Sequence, residues 1–476
     1  MARLTPARAA ALSCLSERRR RNGRIREILR ASSAVAALGA QDRALASRLA
    51  IGCVATQGLL DEVLNERLRR PSSVEPRVRD ALRLAAFEIC YLATPTSAGV
   101  SQGVEAVRSV SSRAAGMANA VLRRLASEVR PQIEAARTRC VALHAGDDCD
   151  CFDLPLVSGL PTWLVRRVVA TRGDEAARAL CLAQLEPAPT YAALNLLLLD
   201  TAQGEALLVD GGFAPEATGL PASYRLGRPA GLHDSDLVRS SRLVVSDLAA
   251  QMVARIAAPM TGGRVLEIGQ GRGTKTLLMA SAAAGADARF VGVESVASKQ
   301  RLCTDRLDTA GLTAAASLEI DGRRLADADL PPVLDRRFDV VLLDAPCSGT
   351  GTMRRHPEIP WALCEVDVEA GGTLPTLQSE LLTAASSQVR PGGLLAYATC
   401  SILPEEDERV VEAFLERDAG AGFERVSVLE APGIADLSNE ARALVARCVR
   451  DDGSFLSLPA LDVPDGHFCT LLRRRS

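Results

Sequence analysis

Two cysteines of this 476-residue chain stand where a side chain could do chemistry, because each follows a short apolar run and precedes a turn. The sequence DAPCSG spans 344–349, and YATCS spans 397–401. Parallel strands bring their carboxyl ends to one edge of a sheet, so we expect Asp344, Cys347 and Cys400 to share a cleft. A lone cysteine is by default buried and structural. Here the small polar neighbours predict exposed thiols, and covalent catalysis needs a cysteine with a depressed pKa.

Such a pair of thiols suits chemistry at carbon 5 of a pyrimidine. That carbon is too weak a nucleophile to accept a methyl group until a thiolate has added at carbon 6. A carboxylate near ring nitrogen 3 can hold the proton that stabilises the adduct. A second thiol can then assist loss of the carbon-5 proton and expulsion of the first thiolate. Asp344, Cys347 and Cys400 are therefore the candidate catalytic residues.

A glycine-rich segment upstream predicts a site for a nucleoside cofactor. Its sequence at 267–276 is EIGQGRGTKT, which follows a strand-like run and lacks the residue order of a Walker A loop. Alternate glycines let the backbone turn sharply and approach a ligand closely. The helix predicted to follow it offers free N–H groups at its start.

Acidic residues end the next two strand-like runs and strengthen this prediction. Glu294 is placed to accept hydrogen bonds from ribose hydroxyls, and Asp321 is placed to meet an adenine amino group. Each acid alone could be a helix N-cap, and the whole set suits S-adenosylmethionine as well as NAD. The candidate cofactor-binding residues are Gly269, Gln270, Gly271, Arg272, Gly273, Thr274, Lys275, Glu294, Asp321 and Asp344.

The elements that must position these residues form an α/β pattern in the last half of the chain. From about residue 244, apolar runs alternate with helical segments, which predicts a doubly wound, mostly parallel sheet. The predicted strands are 264–268, 289–294, 317–321, 338–344 and 394–399. Apolar residues spaced by three or four predict an all-α domain before it. We therefore divide the chain into an all-α domain at 1–135, a linker and small α+β connector at 136–240, and the α/β domain at 241–476.

The net charge of −2 hides an asymmetry between the ends of the chain. Residues 1–140 carry 24 basic and 12 acidic side chains, whereas the remainder carries 32 basic and 46 acidic ones. A basic block on an acidic body suggests a polyanionic partner for the first domain. A solvated helical surface rich in arginine explains the charge equally well.

The composition also limits the compartment and the cofactors. No apolar run approaches the roughly 18–20 residues of a membrane span, and the N-terminus lacks the apolar region of a secretory signal. The 13 cysteines therefore suggest a reduced, cytoplasmic protein with buried thiols. Cys149 and Cys151 have no second pair at zinc spacing, so we expect no metal site.

Several motifs together resemble the RNA cytosine-5 methyltransferases of the Nop2/Sun type. They are DAPCSG at 344–349, RRHPEI at 354–359, TCS at 399–401, PEEDE at 404–408 and DGHF at 465–468. These blocks stand in the family's order over about 230 residues, which makes the match specific. The first part of the chain resembles the NusB-type helical RNA-binding domain, on DRALA at 42–46 and NAVLRRL at 119–125. The whole arrangement is similar to that of bacterial 16S ribosomal RNA methyltransferases of the RsmB/Sun type.

The resemblance implies roles for the candidate residues. Cys400 would be the nucleophile, Cys347 would assist product release, and Asp344 would face the base and the methionine part of S-adenosylmethionine. The loop at 269–275, Glu294 and Asp321 would hold that cofactor. The basic helical domain would bind phosphates of 16S ribosomal RNA, and this RNA would be either naked or part of an early subunit particle. We expect no membrane partner and a monomer.

Two departures from the family pattern keep alternatives open. The family's cofactor loop is usually DxCAAPGGKT, and here its Cys and Pro are replaced while the Lys-Thr end remains. We expect cofactor binding to survive, because backbone N–H groups and strand-end acids do most of it. An Arg-x-Asn motif is common in the connector, but here the first residue is Ala193. The alternatives are a transfer RNA methyltransferase and a non-catalytic RNA-binding or assembly factor with a degenerate loop.

Overall fold

The computed structural model describes residues 3–142, 153–284, 287–312, 315–327, 329–334 and 337–476. The chain forms two compact units. The first comprises Met1–Pro187 and Met353–Glu365, and the second comprises Ala188–Thr352 and Val366–Ser476. Each unit has its own apolar core.

The first unit is helical, as the spacing of apolar residues predicts. Its centre is the helix Pro76–Tyr91, which buries Phe87 completely against Gly52. A Cβ at Gly52 would lie 1.9 Å from the Phe87 ring, so only glycine allows the two helices to approach this closely. The helices are α1 Pro6–Arg21, α2 Ile25–Ala31, α3 Ser33–Ala36, α4 Ala40–Ala55, α5 Gln57–Asn65, α6 Pro76–Tyr91, α7 Thr96–Val110, α8 Ala115–Arg124, α9 Arg130–Ala142, α10 Asp153–Ser158, α11 Thr162–Arg172 and α12 Asp174–Ala183.

A short segment from much later in the sequence completes this helical unit. Glu358 accepts a hydrogen bond from the backbone N–H of Ile25 over 2.6 Å. Trp361 donates its indole Nε1–H to the carbonyl of Ala55, at the end of α4, over 3.2 Å. The ring also packs on Gly58 of α5, where a Cβ would lie 2.1 Å from it. Residues 353–365 are therefore an integral part of the helical unit.

The second unit begins with a small antiparallel sheet, in agreement with the predicted α+β connector. Its spatial order is β2-β3-β1-β4. Its elements are β1 Tyr191–Leu194, α13 Thr201–Asp210, β2 Pro215–Ala217, β3 Ser223–Leu226, α14 Asp236–Arg239 and β4 Leu243–Val245. A capping box at Asp200 fixes the start of α13, because its carboxylate accepts from the N–H of Gln203. Asn195 lies buried after β1 and donates to the carbonyls of Ser241 and Ala310.

The larger sheet of the second unit has eight strands, with helices on both faces. Its order is β10-β12-β9-β8-β5-β6-β7, and β11 pairs with β12. The strands are β5 Arg264–Ile268, β6 Arg289–Glu294, β7 Ala316–Glu319, β8 Phe338–Asp344, β9 Val389–Thr399, β10 Phe423–Val426, β11 Phe455–Ser457 and β12 His467–Arg474. The helices are α15 Leu248–Ile256, α16 Thr274–Ala282, α17 Ala297–Thr309, α18 Ile359–Ala362 (in the helical unit), α19 Glu365–Val368, α20 Thr373–Ser386, α21 Glu408–Leu415, α22 Pro432–Ala435 and α23 Asn439–Ala446.

The strand pairing agrees with the predicted doubly wound topology. The five central strands pair in parallel, and β12 pairs antiparallel with β9. Along β8, Val340 and Leu342 enter one core while Val341 and Leu343 enter the other, which explains the continuous apolar run. The predicted strand 317–321 is shifted, because the strand ends at Glu319 and Asp321 already caps a short 3₁₀ helix, Gly322–Ala326.

The topology also locates the ligand cleft of this unit. The chain runs outward from β5 to β7 and then returns to β8, so the strand order reverses between β5 and β8. Open α/β sheets bind ligands at this point, outside the carboxyl ends of the strands. The loops that leave β5 and β8 there are the glycine-rich segment and the DAPCSG segment.

Candidate active site

The two predicted catalytic thiols are in contact. Cys347 follows β8 and Cys400 follows β9, and their Sγ atoms are 3.3 Å apart. The backbone N–H of Cys400 also points at the sulfur of Cys347 over 3.3 Å. Both side chains are half-buried, so a substrate can reach them.

The pKa values of the two thiols are shifted in opposite directions. The pKa of Cys400 lies below its usual value, chiefly because the Cys347 thiol donates a hydrogen bond to it and also because Lys275 is near. The pKa of Cys347 lies well above its usual value, because it loses that hydrogen bond when it ionises and because it is desolvated. Cys400 is therefore the residue that ionises first, and Cys347 remains its proton-bearing neighbour.

A buried carboxylate connects the two cysteine loops. Glu406 accepts hydrogen bonds from the backbone N–H of Ser348 over 2.8 Å and from the Ser401 hydroxyl over 2.6 Å. Gln378 donates a further hydrogen bond to it over 3.0 Å. Since Ser348 and Ser401 each follow a cysteine directly, Glu406 fixes the spacing of the thiols. This role was not predicted from the sequence, although the acidic run PEEDE at 404–408 is conspicuous there.

Asp344 forms an ion pair at the carboxyl end of β8. The Lys275 Nζ lies 2.7 Å from its Oδ2. Burial acts against the charge of Lys275, but Asp344 outweighs it, so the pKa of the ammonium lies above its usual value. The predicted catalytic carboxylate and the predicted cofactor-loop lysine are therefore charged partners in one cleft.

Glycine is required at two positions of the cofactor loop. Gly269 has φ +79°, and a Cβ there would lie 2.3 Å from the carbonyl oxygen of Asp344. Gly273 has φ +71°, and a Cβ there would lie 2.7 Å from the sulfur of Cys303. The loop can thus lie against the neighbouring β8 and against α17 only because these residues lack side chains.

Most of the loop N–H groups predicted to bind a cofactor donate within the protein. Gly269 and Gln270 both donate to the carbonyl of Val293, over 3.0 and 3.1 Å. Gly273 donates to the carbonyl of Gln270, and Gly271 donates to the Glu294 carboxylate over 2.9 Å. These bonds shape the loop from within the protein. The donors at Arg272, Thr274 and Lys275 then lie at the start of α16, which is the electropositive end of a helix.

The remaining predicted cofactor residues lie in different surroundings. The Gln270 side chain is buried, accepts from Ser317 over 2.7 Å and donates to Thr276 over 3.0 Å, so it supports the loop from inside. Arg272 is exposed. Asp321 is an N-cap ion-paired with Arg323, and this hydrogen-bonded partner lowers its pKa. The N-cap interpretation therefore describes Asp321 correctly, and its role toward adenine stays a prediction.

The last motif, DGHF, packs beside the loop that carries Cys400. Gly466 donates to the carbonyl of Gly351 over 2.9 Å, and Gly351 donates to the carbonyl of Cys400 over the same distance. A Cβ at Gly351 would lie 2.2 Å from the Gly466 carbonyl oxygen. β12 then pairs with β9, with Phe468 opposite Thr399. The motif thus supports the residue before Cys400 from the neighbouring antiparallel strand.

Comparison with known proteins identifies the family. A model described as 16S rRNA methyltransferase RsmB/F matches residues 254–472, and a NusB family model matches residues 5–127. The "Ribosomal RNA small subunit methyltransferase B" of Salmonella typhi is 30% identical over 404 residues, which cover 83% of this chain and 87% of that relative. The chain belongs to this methyltransferase family. The equally named protein of Escherichia coli O6:K15:H31 is also 30% identical, over 406 residues.

Solved structures of other proteins share the fold of this chain. The crystal structure of PH0851 has a TM-score of 0.74 at 20% identity and covers 99% of this chain and 100% of that one. The structure of NSun6 from Pyrococcus horikoshii with SFG has a TM-score of 0.54 at 16% identity, covering 67% of this chain and 100% of that one. The expected NusB-like domain followed by a Rossmann-like methyltransferase domain is confirmed.

S-adenosylmethionine is the cofactor of this methyltransferase, and the loop after β5 fits it. Gly271 has φ +58°, and the nearest atom to a Cβ there is 3.9 Å away, so the loop leaves open space at its turn. Glu294 lies beside that turn, buried at 6% exposure, with carboxylate oxygens suited to ribose hydroxyls. Glu294, the loop residues and Asp344 are the residues that would hold the cofactor, which supplies an electrophilic methyl group.

A metal centre and a membrane span are both absent from the described residues. No group of three or more His, Cys, Asp or Glu side chains among them could hold a metal ion. Cys149 and Cys151 lie outside the described residues. In the same part of the chain, none of the helices has the length and apolar character needed to cross a bilayer.

Glu267 gives the site a pH-dependent stability. It is buried at 1% exposure beneath the loop and bonded to Thr276, and burial raises its pKa to about 8 from an ordinary value of 4.5. An unfolded chain ionises this group near pH 4.5, whereas the folded chain keeps the proton until about pH 8. The free energy of unfolding therefore falls as the pH rises through this window.

The Glu267→Gln variant should lose this dependence. Thermal unfolding of both proteins at pH 5.5 and 8.5 should show a drop in Tm that is larger for the parent by a few degrees. Parallel drops in the two proteins would mean that Glu267 is ionised in the fold.

Proposed function

We propose that this chain transfers a methyl group from S-adenosylmethionine to carbon 5 of a cytosine in 16S ribosomal RNA, through a covalent adduct between Cys400 and carbon 6. The observation that carries this proposal is the 3.3 Å contact between two thiols with opposite pKa tendencies. A methyltransferase acting on an already nucleophilic nitrogen or oxygen has no use for a thiolate. A methyltransferase that acts on carbon 5 of cytosine needs one, because that carbon must first be made nucleophilic.

The protein's groups support each part of the adduct chemistry. The Cys400 thiolate adds to carbon 6, the π electrons of the carbon 5–carbon 6 double bond shift toward carbon 4 and ring nitrogen 3, and nitrogen 3 takes up a proton from water, which makes carbon 5 an enamine-like nucleophile. Asp344, at the same strand edge and charged beside Lys275, is suited to hold the proton at ring nitrogen 3. Carbon 5 then takes the methyl group as the bond of that group to the sulfonium sulfur breaks. Water takes the carbon-5 proton, the electrons of that carbon–hydrogen bond re-form the carbon 5–carbon 6 double bond, the sulfur leaves carbon 6 as the Cys400 thiolate, and ring nitrogen 3 returns its proton.

Cys347 then has a defined task in product release. Its thiol donates a hydrogen bond to the sulfur of Cys400, which stabilises the departing thiolate. The hydrogen bonds from Ser348 and Ser401 to Glu406 keep the two loops at this spacing. Glu406 is thus a positioning residue, whereas both cysteines act on the reacting atoms.

The RNA substrate is inferred from the relatives and from the helical unit. The curated relatives are named for small-subunit ribosomal RNA methylation. The first 140 residues have twice as many basic as acidic side chains, which suits contact with phosphates. We propose the predicted division into 1–135, 136–240 and 241–476 as the functional one, with most of the RNA contacts made by the first part.

A methyl-transfer assay tests this function directly. Purified protein and labelled S-adenosylmethionine are incubated with 16S, 23S and transfer RNA from an unmethylated source. We expect label in 16S RNA that migrates as 5-methylcytidine after digestion to nucleosides. Label in transfer RNA would change the substrate. Absence of label from RNA and from 30S particles, with cofactor binding intact, would favour the non-catalytic alternative.

A further inference from the structure

A cavity of about 620 Å³ lies within the helical unit, away from the two cysteines in sequence. Its walls come from the end of α1, from α4 to α6, and from the segment 353–365. Cavities of this size accommodate small ligands or single groups of larger ones. The charged and aromatic residues that line it are Arg18, Arg19, Arg24, Asp80, Arg83, Glu358 and Trp361.

The charge of this cavity favours an anion. Four guanidinium groups and two carboxylates line it, and the distances within their ion pairs differ. Arg19 lies 2.8 Å from Asp80, whereas the Nε of Arg18 is 3.8 Å from Glu358 and has no hydrogen-bond partner although it is buried. Arg83 is held by Asp61, which lies beside the cavity.

Arg24 differs from the other arginines that line this cavity. Among the described residues its exposed guanidinium has no hydrogen-bond or ion-pair partner. The positive potential extends to the neighbouring His356, whose pKa falls to about 4 because of burial first and then because of Arg24, Arg26 and Arg355. An anionic group can therefore enter without displacing an existing ion pair.

A fixed aromatic ring stands in the same wall. Trp361 packs on Gly58 and donates its Nε1–H to the Ala55 carbonyl, so the half-buried indole has a set orientation. Rings in arginine-rich sites offer a stacking surface for an unpaired base, and such stacking tolerates any base. A phosphate and a base on one nucleotide match the guanidiniums and the ring of this cavity.

We propose that this cavity binds one unpaired nucleotide of the RNA substrate, with a phosphate on Arg18 and Arg24 and its base against Trp361. The inference rests on the proposed RNA substrate and gives the helical unit a specific contact in addition to its general positive charge. It also explains why the segment 353–365 belongs to the helical unit, since this segment supplies the ring.

Tryptophan fluorescence tests the proposal in the full-length protein. The chain has two tryptophans, so the Trp163→Phe variant leaves Trp361 as the only one. A single-stranded oligoribonucleotide of about 12 residues should quench its emission on binding. Arg24→Glu in this background should weaken binding about tenfold or more and reduce the salt slope by about one. Arg20→Glu, an equal charge change at an exposed arginine outside the cavity lining, is the matched control and should keep the quenching.

The outcomes separate this inference from the proposed function. Oligonucleotide retained on a filter without quenching, or equal weakening by both variants, would overturn the inference. Equal quenching by free adenosine monophosphate would do the same in favour of a free nucleotide. If the parent protein methylates 16S RNA in either case, the proposed function stands. Quenching that depends on Arg24 without 5-methylcytidine formation would support the cavity and reject the proposed function.

Discussion

The Cys400→Ala variant should lose methylation of RNA by at least about 10³-fold, because the thiol whose pKa is lowered is then missing. The half-buried sulfur of Cys400 is the one whose pKa is lowered, by the hydrogen bond from Cys347 and by Lys275. Removal of this thiol leaves the cofactor loop intact, since its hydrogen bonds run to Val293 and Glu294. Calorimetric titration with S-adenosylmethionine should therefore give an unchanged Kd.

The matched control is Cys448→Ala, which removes a half-buried thiol outside the two catalytic loops. Its methylation rate should stay within about twofold of the parent. A Cys400→Ala protein that binds the cofactor and still forms 5-methylcytidine at the parental rate would exclude Cys400 as the nucleophile.

The Cys347→Ala variant should accumulate a covalent complex with RNA. Cys400 remains available for addition, with a higher pKa because the hydrogen bond from Cys347 is gone, whereas expulsion of the thiolate from carbon 6 loses its hydrogen-bond donor at 3.3 Å. Product release should become the slow step, so turnover falls by about 10²-fold or more while the adduct persists. A denaturing gel should show a slow band that contains both labelled RNA and protein and disappears after nuclease digestion.

Two further variants define the origin of that band. The double variant with both cysteines replaced by Ala should show none, because the nucleophile is absent. Cys347→Ser keeps a donor at the same place and should release product faster than Cys347→Ala. A band in Cys400→Ala and none in Cys347→Ala would reverse the two roles.

The placement of the two cysteines and the glycine-rich loop in one cleft could be predicted because strand ends are marked by local signals. Each of the runs before Gly269, Glu294, Cys347 and Cys400 is apolar and ends in small or polar residues, so the cleft could be placed from the sequence alone. The alternation of strands and helices likewise predicted the parallel sheet. The exact end of β7 could not be found, because the polar residues after Glu319 suit a strand and a capped turn equally.

Contacts between residues distant in sequence leave no local pattern and could not be predicted. The hydrogen bonds of Glu406 join residues 348, 378 and 401, and nothing in PEEDE indicates that its four acids are buried. The internal use of the loop N–H groups depends on the carbonyl of Val293 on the neighbouring strand. The assignment of residues 353–365 to the helical unit depends on glycine at position 58, which looks ordinary in the sequence.

That assignment has a consequence for the order in which the protein can be made. The helical unit needs Trp361 and Glu358, yet 178 residues, from 188 to 365, must be added after Pro187 before its last residue, Glu365, is in place. At ~5–20 residues per second, a ribosome needs about 9–36 s to synthesise them. During that interval the nascent helical unit leaves Gly58, the Ala55 carbonyl and the Ile25 amide without their final partners. Co-translational folding of this chain therefore cannot complete the first unit before residues 188–352, more than half of the second unit, have been synthesised.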